Sequence, residues 1–401
     1  MATPSIFIGL LFSVTMVYGQ FGDFVFRPDY QRTPLGDSID ATSMKLLKEM
    51  YDVAEEKNIV TSPLGLMMLL SIFSEGAAPN AKTEIVKFLG GSDAKQTGDW
   101  YKQLSDTFSS KDPDNLSIAN KVYVAKNYTL NEQFAAVAKD FHSEVENIDF
   151  TNPAAAAAII NQWANLKTKG HIPNPIGDDT LSPLSKTALF NVIFFNGHWN
   201  VPFEAEDTKE KDFHVNRQKV VKKPMMHLLQ PLFYTESSEL GAKMIELPYK
   251  ETGFRMVVLL PNEIDGLKSV LEKVSQKGLL TDVFNLSPVG RDMDLDMPKF
   301  DIRTKQDYDN ILPKLGVSKM FKEPVTGIVK DAETSINKVF QEAFITVNEE
   351  GATAGAFTGA VLVPTSSISR PPPPLKFTVD HPFLYAILYE DKILFTGTYS
   401  Q

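Results

Sequence analysis

Two segments of the chain carry a strong sequence signal for an α-helix. In the first, Ser62 and Pro63 precede an apolar run over residues 64–73. A serine side chain can accept a hydrogen bond from the free amides at a helix start, and proline suits the first helical position. Because the run is apolar all round, this helix is predicted to be buried. In the second, Asn152-Pro153 precedes residues 154–169, whose alanine-rich composition favours a helix.

Residues 189–195 predict a strand that is buried on both faces, because the run is nearly continuous in apolar, β-favouring residues. Asn191 lies inside this run and therefore needs a buried hydrogen-bonding partner. The other predicted elements are strands at Met244–Pro248, Phe254–Leu260 and Leu295–Ile302, a helix from Gly266 to about Gln276, and a hairpin over Phe383–Thr398. This order indicates an α+β fold rather than a regular βαβ alternation.

The composition changes abruptly after a predicted strand at Val339–Asn348, whose alternate residues would share one face. Glu349-Glu350-Gly351 follows, and then a stretch of small, uncharged residues, 352–360. Positions 352, 354, 356 and 358 are Ala, Ala, Ala and Thr. As a strand, this stretch would have one face of small side chains that could enter a sheet, with Gly351 as the backbone pivot. The alternative, which composition alone favours, is an ordinary linker before the prolines at 371–374.

Composition and charge narrow the class of protein. The 401 residues are 43% hydrophobic, so the chain can bury one large core or two ordinary ones. The chain has no cysteine, which excludes disulfides, zinc thiolate sites and a cysteine nucleophile. A net charge of −10 argues against nucleic acid or an anionic membrane as the main partner, because both require a positive surface.

Residues 1–19 are predicted to be a signal peptide, because the apolar run Ile6–Val17 is followed by the small residue Gly19. The run is too short to span a bilayer, and no later stretch approaches about 20 apolar residues. Three glycosylation sequons suit an exported glycoprotein, at Asn115, Asn127 and Asn285. We therefore expect a secreted, extracellular protein with no membrane partner.

The usual sequence signatures of an enzyme are absent. The chain has no GxGxxG motif, no phosphate-binding loop, no GxSxG elbow and no HExxH motif. Its histidines are scattered without ligand spacing, which favours core or surface roles over metal binding; they are His142, His171, His198, His214, His227 and His381. We expect no metal, no cofactor and no catalytic residue. No local nucleophile motif supports the alternative that the protein is an ordinary hydrolase.

Several motifs, in order along the chain, resemble those of the serpin family and extend over most of the mature chain. Residues 347–351 and the Ala/Thr/Gly tract after them are similar to the family's hinge. Residues 58–63 resemble the segment that leads into its helix B, and residues 190–199 resemble its central strand. The further matches are Asp212-Phe-His, Lys223-Pro-Met-Met226, Glu246-Leu-Pro-Tyr249, Met297-Pro-Lys-Phe300, Leu312-Pro-Lys-Leu-Gly316 and His381-Pro-Phe383.

The resemblance implies an α+β serpin fold with three β-sheets, about nine helices and an exposed reactive-centre loop at about residues 349–377, in a single domain over residues 20–401. It also implies a mechanism in which a serine protease attacks the loop, an acyl-enzyme forms, and the cleaved loop inserts into a sheet before deacylation. As a strand at ~3.3 Å per residue, Gly351 to Thr365 would span about 50 Å. This length is comparable with the size of a domain of this chain length, so the cleaved loop is long enough to insert along a whole sheet strand. The expected partner is an extracellular serine protease, held in a covalent complex by a monomeric inhibitor.

The family's usual spacing from the hinge glutamate implies a scissile bond between Thr365 and Ser366. The Val-Pro pair before Thr365 suits a protease with a small apolar pocket, such as an elastase-like site. Val363 and Ile368 are the next alternatives. Arg370 ranks below them, because cleavage there would require an Arg-Pro bond, whose fixed φ and imide nitrogen fit protease sites poorly.

The resemblance assigns further roles around this loop. The hinge would comprise Glu349, Glu350, Gly351, Ala352, Thr353, Ala354, Gly355, Ala356 and Thr358. A polar shutter under the opening strands would comprise Ser62, Asn191 and Gln341, and a breach at the loop's entry would comprise Trp199 and Lys299, with Lys299 and Glu349 as an ion pair. Gln341 stands where the family often has histidine, so the titratable group is lost. No dense Lys/Arg cluster occurs over residues 81–111, so heparin activation is not expected.

Two functional classes stay open. The first is an inhibitory serpin, and the second is a non-inhibitory serpin that acts as a carrier, a chaperone or a simple protease substrate. The alternation of small residues at positions 352 to 358 favours inhibition, because a proline or a charge on that face would block insertion.

Overall fold

The computed structural model describes residues 14–15 and 27–401, apart from residues 55, 56, 178, 331 and 352–371. Eight α-helices lie within these residues: α1 Pro34–Val53, α2 Pro63–Ser74, α3 Pro79–Phe88, α4 Ala94–Ser109, α5 Glu132–Asp140, α6 Pro153–Lys167, α7 Leu267–Lys277 and α8 Leu280–Phe284. Short 3-10 helices occur at Ala205–Asp207, Leu312–Leu315 and Lys319–Phe321.

The two helices with the strongest sequence signals form as their caps predict. The Ser62 side chain accepts a hydrogen bond from the Gly65 amide, and all of α2 is buried. Asn152 caps α6 in the same way through the Ala155 amide. The helix α6 ends at Lys167, two residues before its predicted end, because the chain adopts positive φ angles at Lys169 and then at Gly170, which no right-handed helix accommodates.

The strands within the described residues are β1 Val14–Thr15, β2 Arg27–Pro28, β3 Ile59–Thr61, β4 Leu116–Ala125, β5 Glu144–Ile148, β6 Thr187–Phe195, β7 Lys209–His214, β8 Val220–Gln230, β9 Phe233–Ser237, β10 Ala242–Pro248, β11 Phe254–Pro261, β12 Ser287–Pro288, β13 Met293–Pro298, β14 Phe300–Asp307, β15 Ile336–Val347, β16 Leu375–Thr378, β17 Phe383–Tyr389 and β18 Lys392–Tyr399. A short β1-β2 pair stands apart from three large sheets. The large sheets have the orders β14-β15-β6-β4-β5, β12-β9-β10-β11-β17-β18-β3 and β16-β13-β8-β7, which confirms the three-sheet α+β fold.

One predicted strand proved to be two. The sequence pattern predicts a single strand at Leu295–Ile302, but the strand is interrupted at Lys299. As a result, β13 belongs to the four-stranded sheet and β14 belongs to the five-stranded sheet. Pro298 has no amide to donate to a continuing ladder, and it stands at the last position of β13. The buried positions change phase at this point, from 293, 295 and 297 in β13 to 300 and 302 in β14, so the alternation does not run through Lys299 as a single strand would require.

The main core lies between the five-stranded and seven-stranded sheets. Helix α2 fills it, in contact with β6, β4 and β18. On the other face of the five-stranded sheet, α6 packs through Trp163, whose ring meets that of Tyr123 edge-on at 6.3 Å. The strand β6 is therefore covered on both sides, and all nine of its residues are buried, as its continuous apolar run predicts. Among the helices of the described residues, none is long and apolar enough to cross a membrane.

Candidate functional site

The chain leaves the five-stranded sheet through a tight turn after β15. Gly351 closes this turn by donating its amide to the Asn348 carbonyl at 3.2 Å, and it has a φ of 101°. A Cβ atom at this position would lie 2.3 Å from the Gly197 carbonyl oxygen and 2.5 Å from the Trp199 amide nitrogen. Both the backbone angle and the close approach of this neighbouring segment therefore require glycine.

The turn is held against the segment that follows β6. The amides of Phe203 and Trp199 donate to the carbonyls of Glu349 and Glu350 at 2.7 and 3.1 Å. The Trp199 ring nitrogen donates to the Asn348 carbonyl at 2.8 Å, and its ring stacks on Tyr249 with centroids 4.5 Å apart. The buried Trp199 side chain thus fixes the position from which the chain departs.

The Glu349 side chain has two partners at this turn. The Lys299 ammonium lies 3.1 Å from its carboxylate, and the Thr208 hydroxyl donates to it at 2.7 Å. Burial opposes ionisation of Glu349, but the hydrogen bonds from Thr208 and Lys299 outweigh it and hold the pKa of the carboxyl below its ordinary value. Lys299 is 42% exposed, so the ion pair itself contributes little to stability.

A buried polar cluster lies beneath the paired strands β6 and β15, and it brings Ser62, Asn191 and Gln341 together. The Gln341 amide donates to the Asn191 side-chain oxygen and to the Ser62 carbonyl, both at 2.8 Å. The Gln341 oxygen accepts hydrogen bonds from the Ser62 amide and from the hydroxyls of Thr61 and Tyr308, at 2.9–3.0 Å. Every polar group of the Gln341 side chain is therefore satisfied.

Sequence reasoning missed three members of this cluster. Asn191 donates to the Asn120 side-chain oxygen at 2.7 Å, and Thr61 and Tyr308 complete the shell around Gln341. No local signal marked them, because Thr61 adjoins Ser62, Asn120 adjoins Lys121, and Tyr308 lies between two aspartates. The cluster also accounts for Gly65 inside the buried helix, because a Cβ there would lie 2.8 Å from the Asn191 oxygen.

A segment that follows α6 crosses the outer face of the same two strands; we call residues 168–176 the strap. The His171 ring stacks on Phe194 of β6 with centroids 3.8 Å apart and reaches Phe344 of β15 at 6.4 Å. Phe194 and Phe344 are direct register partners, so the ring lies across the seam between the strands. Burial, and then the nearby Arg303 guanidinium, lower the pKa of His171.

Cationic side chains of β14 tie the strap down. Arg303 donates to the His171 carbonyl at 2.7 Å and pairs with the fully buried Glu342 carboxylate at 2.7 Å. Lys305 donates to the Asn174 carbonyl at 2.6 Å. The strap is thereby joined to three neighbouring strands, β6, β15 and β14.

Other predicted site residues lie elsewhere. The hinge residues Ala352, Thr353, Ala354, Gly355, Ala356 and Thr358, and the scissile-bond candidates Val363, Thr365, Ser366, Ile368 and Arg370, fall outside the described residues. Of the sequon asparagines, Asn127 and Asn285 are exposed and Asn115 is half-buried.

The fold and this turn define an α+β protein whose chain leaves its central sheet at a glycine pivot, above a buried polar cluster. The family model "Serpin (serine protease inhibitor)" matches residues 37–401. The chain is 31% identical to "Antitrypsin" of Bombyx mori over 90% of this chain and 92% of that protein, and 30% identical to "Alaserpin" of Manduca sexta over 90% and 93%. The crystal structure of Serpin48 of Tenebrio molitor is 30% identical, with a TM-score of 0.80 over 92% of this chain and 98% of that one. The chain belongs to the serpin family.

Proposed function

We propose that this protein is a secreted, monomeric inhibitor of serine proteases that acts as a suicide substrate. The observation that carries the proposal is the pairing of β6 and β15, which are parallel neighbours, next to the glycine pivot at which the chain leaves β15. The names of two relatives from Bombyx mori, "Antitrypsin" and "Antichymotrypsin-2", support the same role.

The topology gives loop insertion a thermodynamic reason. A chain that reverses after Gly351 and enters between β15 and β6 would run antiparallel to both strands. Insertion would thus replace one parallel ladder by two antiparallel ladders, and antiparallel pairing is slightly more stable per residue. The sheet would gain a strand without losing an existing one, so the intact loop holds the protein in a less stable state than the cleaved loop.

The residues after the pivot suit this strand. Residues 352–365 outnumber the 12 residues of β15, so the inserted strand could pair along the whole seam. The small side chains at positions 352, 354, 356 and 358 would all lie on one face of the inserted strand. Cleavage at Thr365-Ser366 would release the full length for insertion, with the protease attached to Thr365.

The proposal includes export. The leader at residues 1–19 would be removed to leave Gln20 as the first residue, and Asn127 and Asn285 are exposed acceptors for glycans. N-terminal mass spectrometry of protein secreted by cells, before and after glycosidase treatment, tests both steps. Retention inside the cell with an intact leader would contradict export.

The inhibitory mechanism is tested with a panel of elastase-like, chymotrypsin-like and trypsin-like serine proteases. We expect a covalent complex that survives denaturing electrophoresis, and a released C-terminal peptide whose mass begins at Ser366. A peptide that begins one residue after Val363, Ile368 or Arg370 would move the scissile bond to that residue.

A matched pair of hinge variants separates inhibition from simple cleavage. Ala352→Arg places a charge on the face that would enter the core, so this variant should be cleaved without trapping the protease. Thr353→Arg places the same charge on the opposite face of the strand and should still trap. Trapping by Ala352→Arg would contradict the hinge. Cleavage of the wild type without a complex, and without a rise in its unfolding temperature, would indicate a non-inhibitory serpin.

A further inference from the structure

The four-stranded sheet brings together three side chains that sequence spacing kept apart. His227 on β8 is the direct register partner of Asp296 on β13, and Asp294 lies two residues along β13, on the same face. Their side chains are 31%, 13% and 32% exposed. An imidazole and two carboxylates therefore meet on one rigid face of a sheet, away from the turn and the polar cluster described above.

The distances fit coordination of a metal ion. The His227 Nδ1 atom lies 3.2 Å from the Asp296 Oδ1 atom and 3.6 Å from the Asp294 Oδ1 atom, and the three groups lie within 4.8 Å of one another. Ligands at about 2.0–2.1 Å from a tetrahedral Zn²⁺ ion are separated by roughly 3.3 Å. We propose that His227, Asp294 and Asp296 form a binding site for a divalent transition-metal ion, with Zn²⁺ as the best match and with one coordination position open to water.

The charge of the site supports this assignment and identifies a competitor. The Lys211 ammonium lies 2.5 Å from the Asp296 carboxylate, so a cation already sits at one edge of the site. The Lys211 ammonium contacts only the Asp296 carboxylate, whereas a divalent ion between the three groups would contact both carboxylates and the imidazole. Lys211 is 38% exposed and stands on β7, at the edge of the sheet, so its side chain can turn into solvent when a metal ion binds.

Metal binding would act on the strand that follows the loop. β13 pairs in parallel with β16, and Asp294 and Asp296 are the register partners of Lys376 and Thr378. An ion held by β8 and β13 would link these two strands to each other. The linked β13 lies next to β16, the first strand after residues 352–371. We expect this link to raise the unfolding temperature, and the site does not depend on the inhibitory function proposed above.

Isothermal titration calorimetry of the full-length protein with ZnCl₂ in a non-chelating buffer tests the site. We expect one ion per chain. The substitution His227→Gln should weaken binding at least tenfold, and Asp294→Asn should weaken it to a similar degree. His214→Asn, on the opposite face of β7 from Lys211, should leave binding unchanged. Co²⁺ should give the visible absorption of a site with a nitrogen ligand, and this absorption should disappear in His227→Gln.

Lys211→Met provides the most specific readout, because removal of the competing ammonium should tighten Zn²⁺ binding several-fold. A site formed by unrelated surface groups would not respond to that change. Unsaturable binding, equal affinity of wild type and His227→Gln, or an unchanged affinity of Lys211→Met would each overturn the assignment. Circular dichroism of every variant controls for loss of the fold.

Discussion

We expect the ring of His171 to oppose opening of the β6–β15 seam, in addition to the Arg303 and Lys305 contacts that hold the strap. For a strand to enter this seam, Phe194 and Phe344 must separate, and the ring that rests on both must move. An aromatic contact of this kind contributes about 0.5–1.5 kcal/mol. If the contact is already broken at the transition state for opening, His171→Ala should lower the barrier by about 1 kcal/mol, which corresponds to roughly fivefold faster opening.

The opening rate can be measured without a protease. A synthetic peptide with the sequence of residues 352–365 should enter the seam, and its incorporation can be followed by native electrophoresis and by the rise in unfolding temperature. We expect half-times about fivefold shorter for His171→Ala than for wild type. His142→Ala is the matched control, because His142 is an exposed histidine that pairs with Asp106 away from the seam.

The same contact predicts a dependence on pH. Because burial and then Arg303 lower the pKa of His171, the charged imidazolium is disfavoured while the strap covers the seam, and acidification should favour opening. The charged groups beside it are Arg303 and Lys305 of β14 and Glu342 of β15. Wild type should therefore take up the peptide faster at acidic pH than at neutral pH. His171→Phe keeps the stacked ring without the charge and should lose that acceleration. An unchanged rate in His171→Ala, or the same acceleration in His171→Phe, would refute this reasoning.

Three further outcomes follow from the described contacts. Gln341→Ala removes five buried hydrogen bonds and should lower the free energy of unfolding by about 3–5 kcal/mol in urea titrations; a loss below about 1 kcal/mol would contradict the cluster. Burial raises the pKa of Asp40 from 3.8 to about 6 despite hydrogen bonds from the Leu279 and Leu280 amides, so the native state binds more protons than the unfolded state between these values. The contribution of Asp40 to the free energy of unfolding should therefore fall by about 2 kcal/mol as the pH rises from 4 to 7, and Asp40→Asn should lose this fall; the same slope of stability against pH in wild type and Asp40→Asn would argue against it. Gly351→Val should lower the unfolding temperature, because its φ of 101° and the 2.3 Å approach exclude a Cβ; an unchanged temperature would show that the turn rearranges freely.

Much of the fold follows from local signals in the sequence. The Ser62-Pro63 cap begins α2 where the pattern predicts, and the continuous run of β6 is buried on both faces. The predicted pair of Lys299 and Glu349 lies within ion-pair distance, and Gly351 occupies a pivot that excludes any side chain. Capping, burial and backbone freedom are properties of neighbouring residues, so one sequence is enough to predict them. The scissile bond at Thr365-Ser366 stays a prediction from family spacing.

Other features were decided by the tertiary structure alone. Asn191 needed a buried partner, but the alternation of a strand indicates only which face a side chain occupies, not which strand lies beside it. Its partners, Asn120 and Gln341, are 71 and 150 residues away. The contact of the His171 ring with Phe194 and Phe344 likewise depends on the pairing of two distant strands. Sequence determined the turn at which the chain leaves the sheet; the register of distant strands decided what lies beneath that turn and across the seam, because pairing over such separations leaves no local trace.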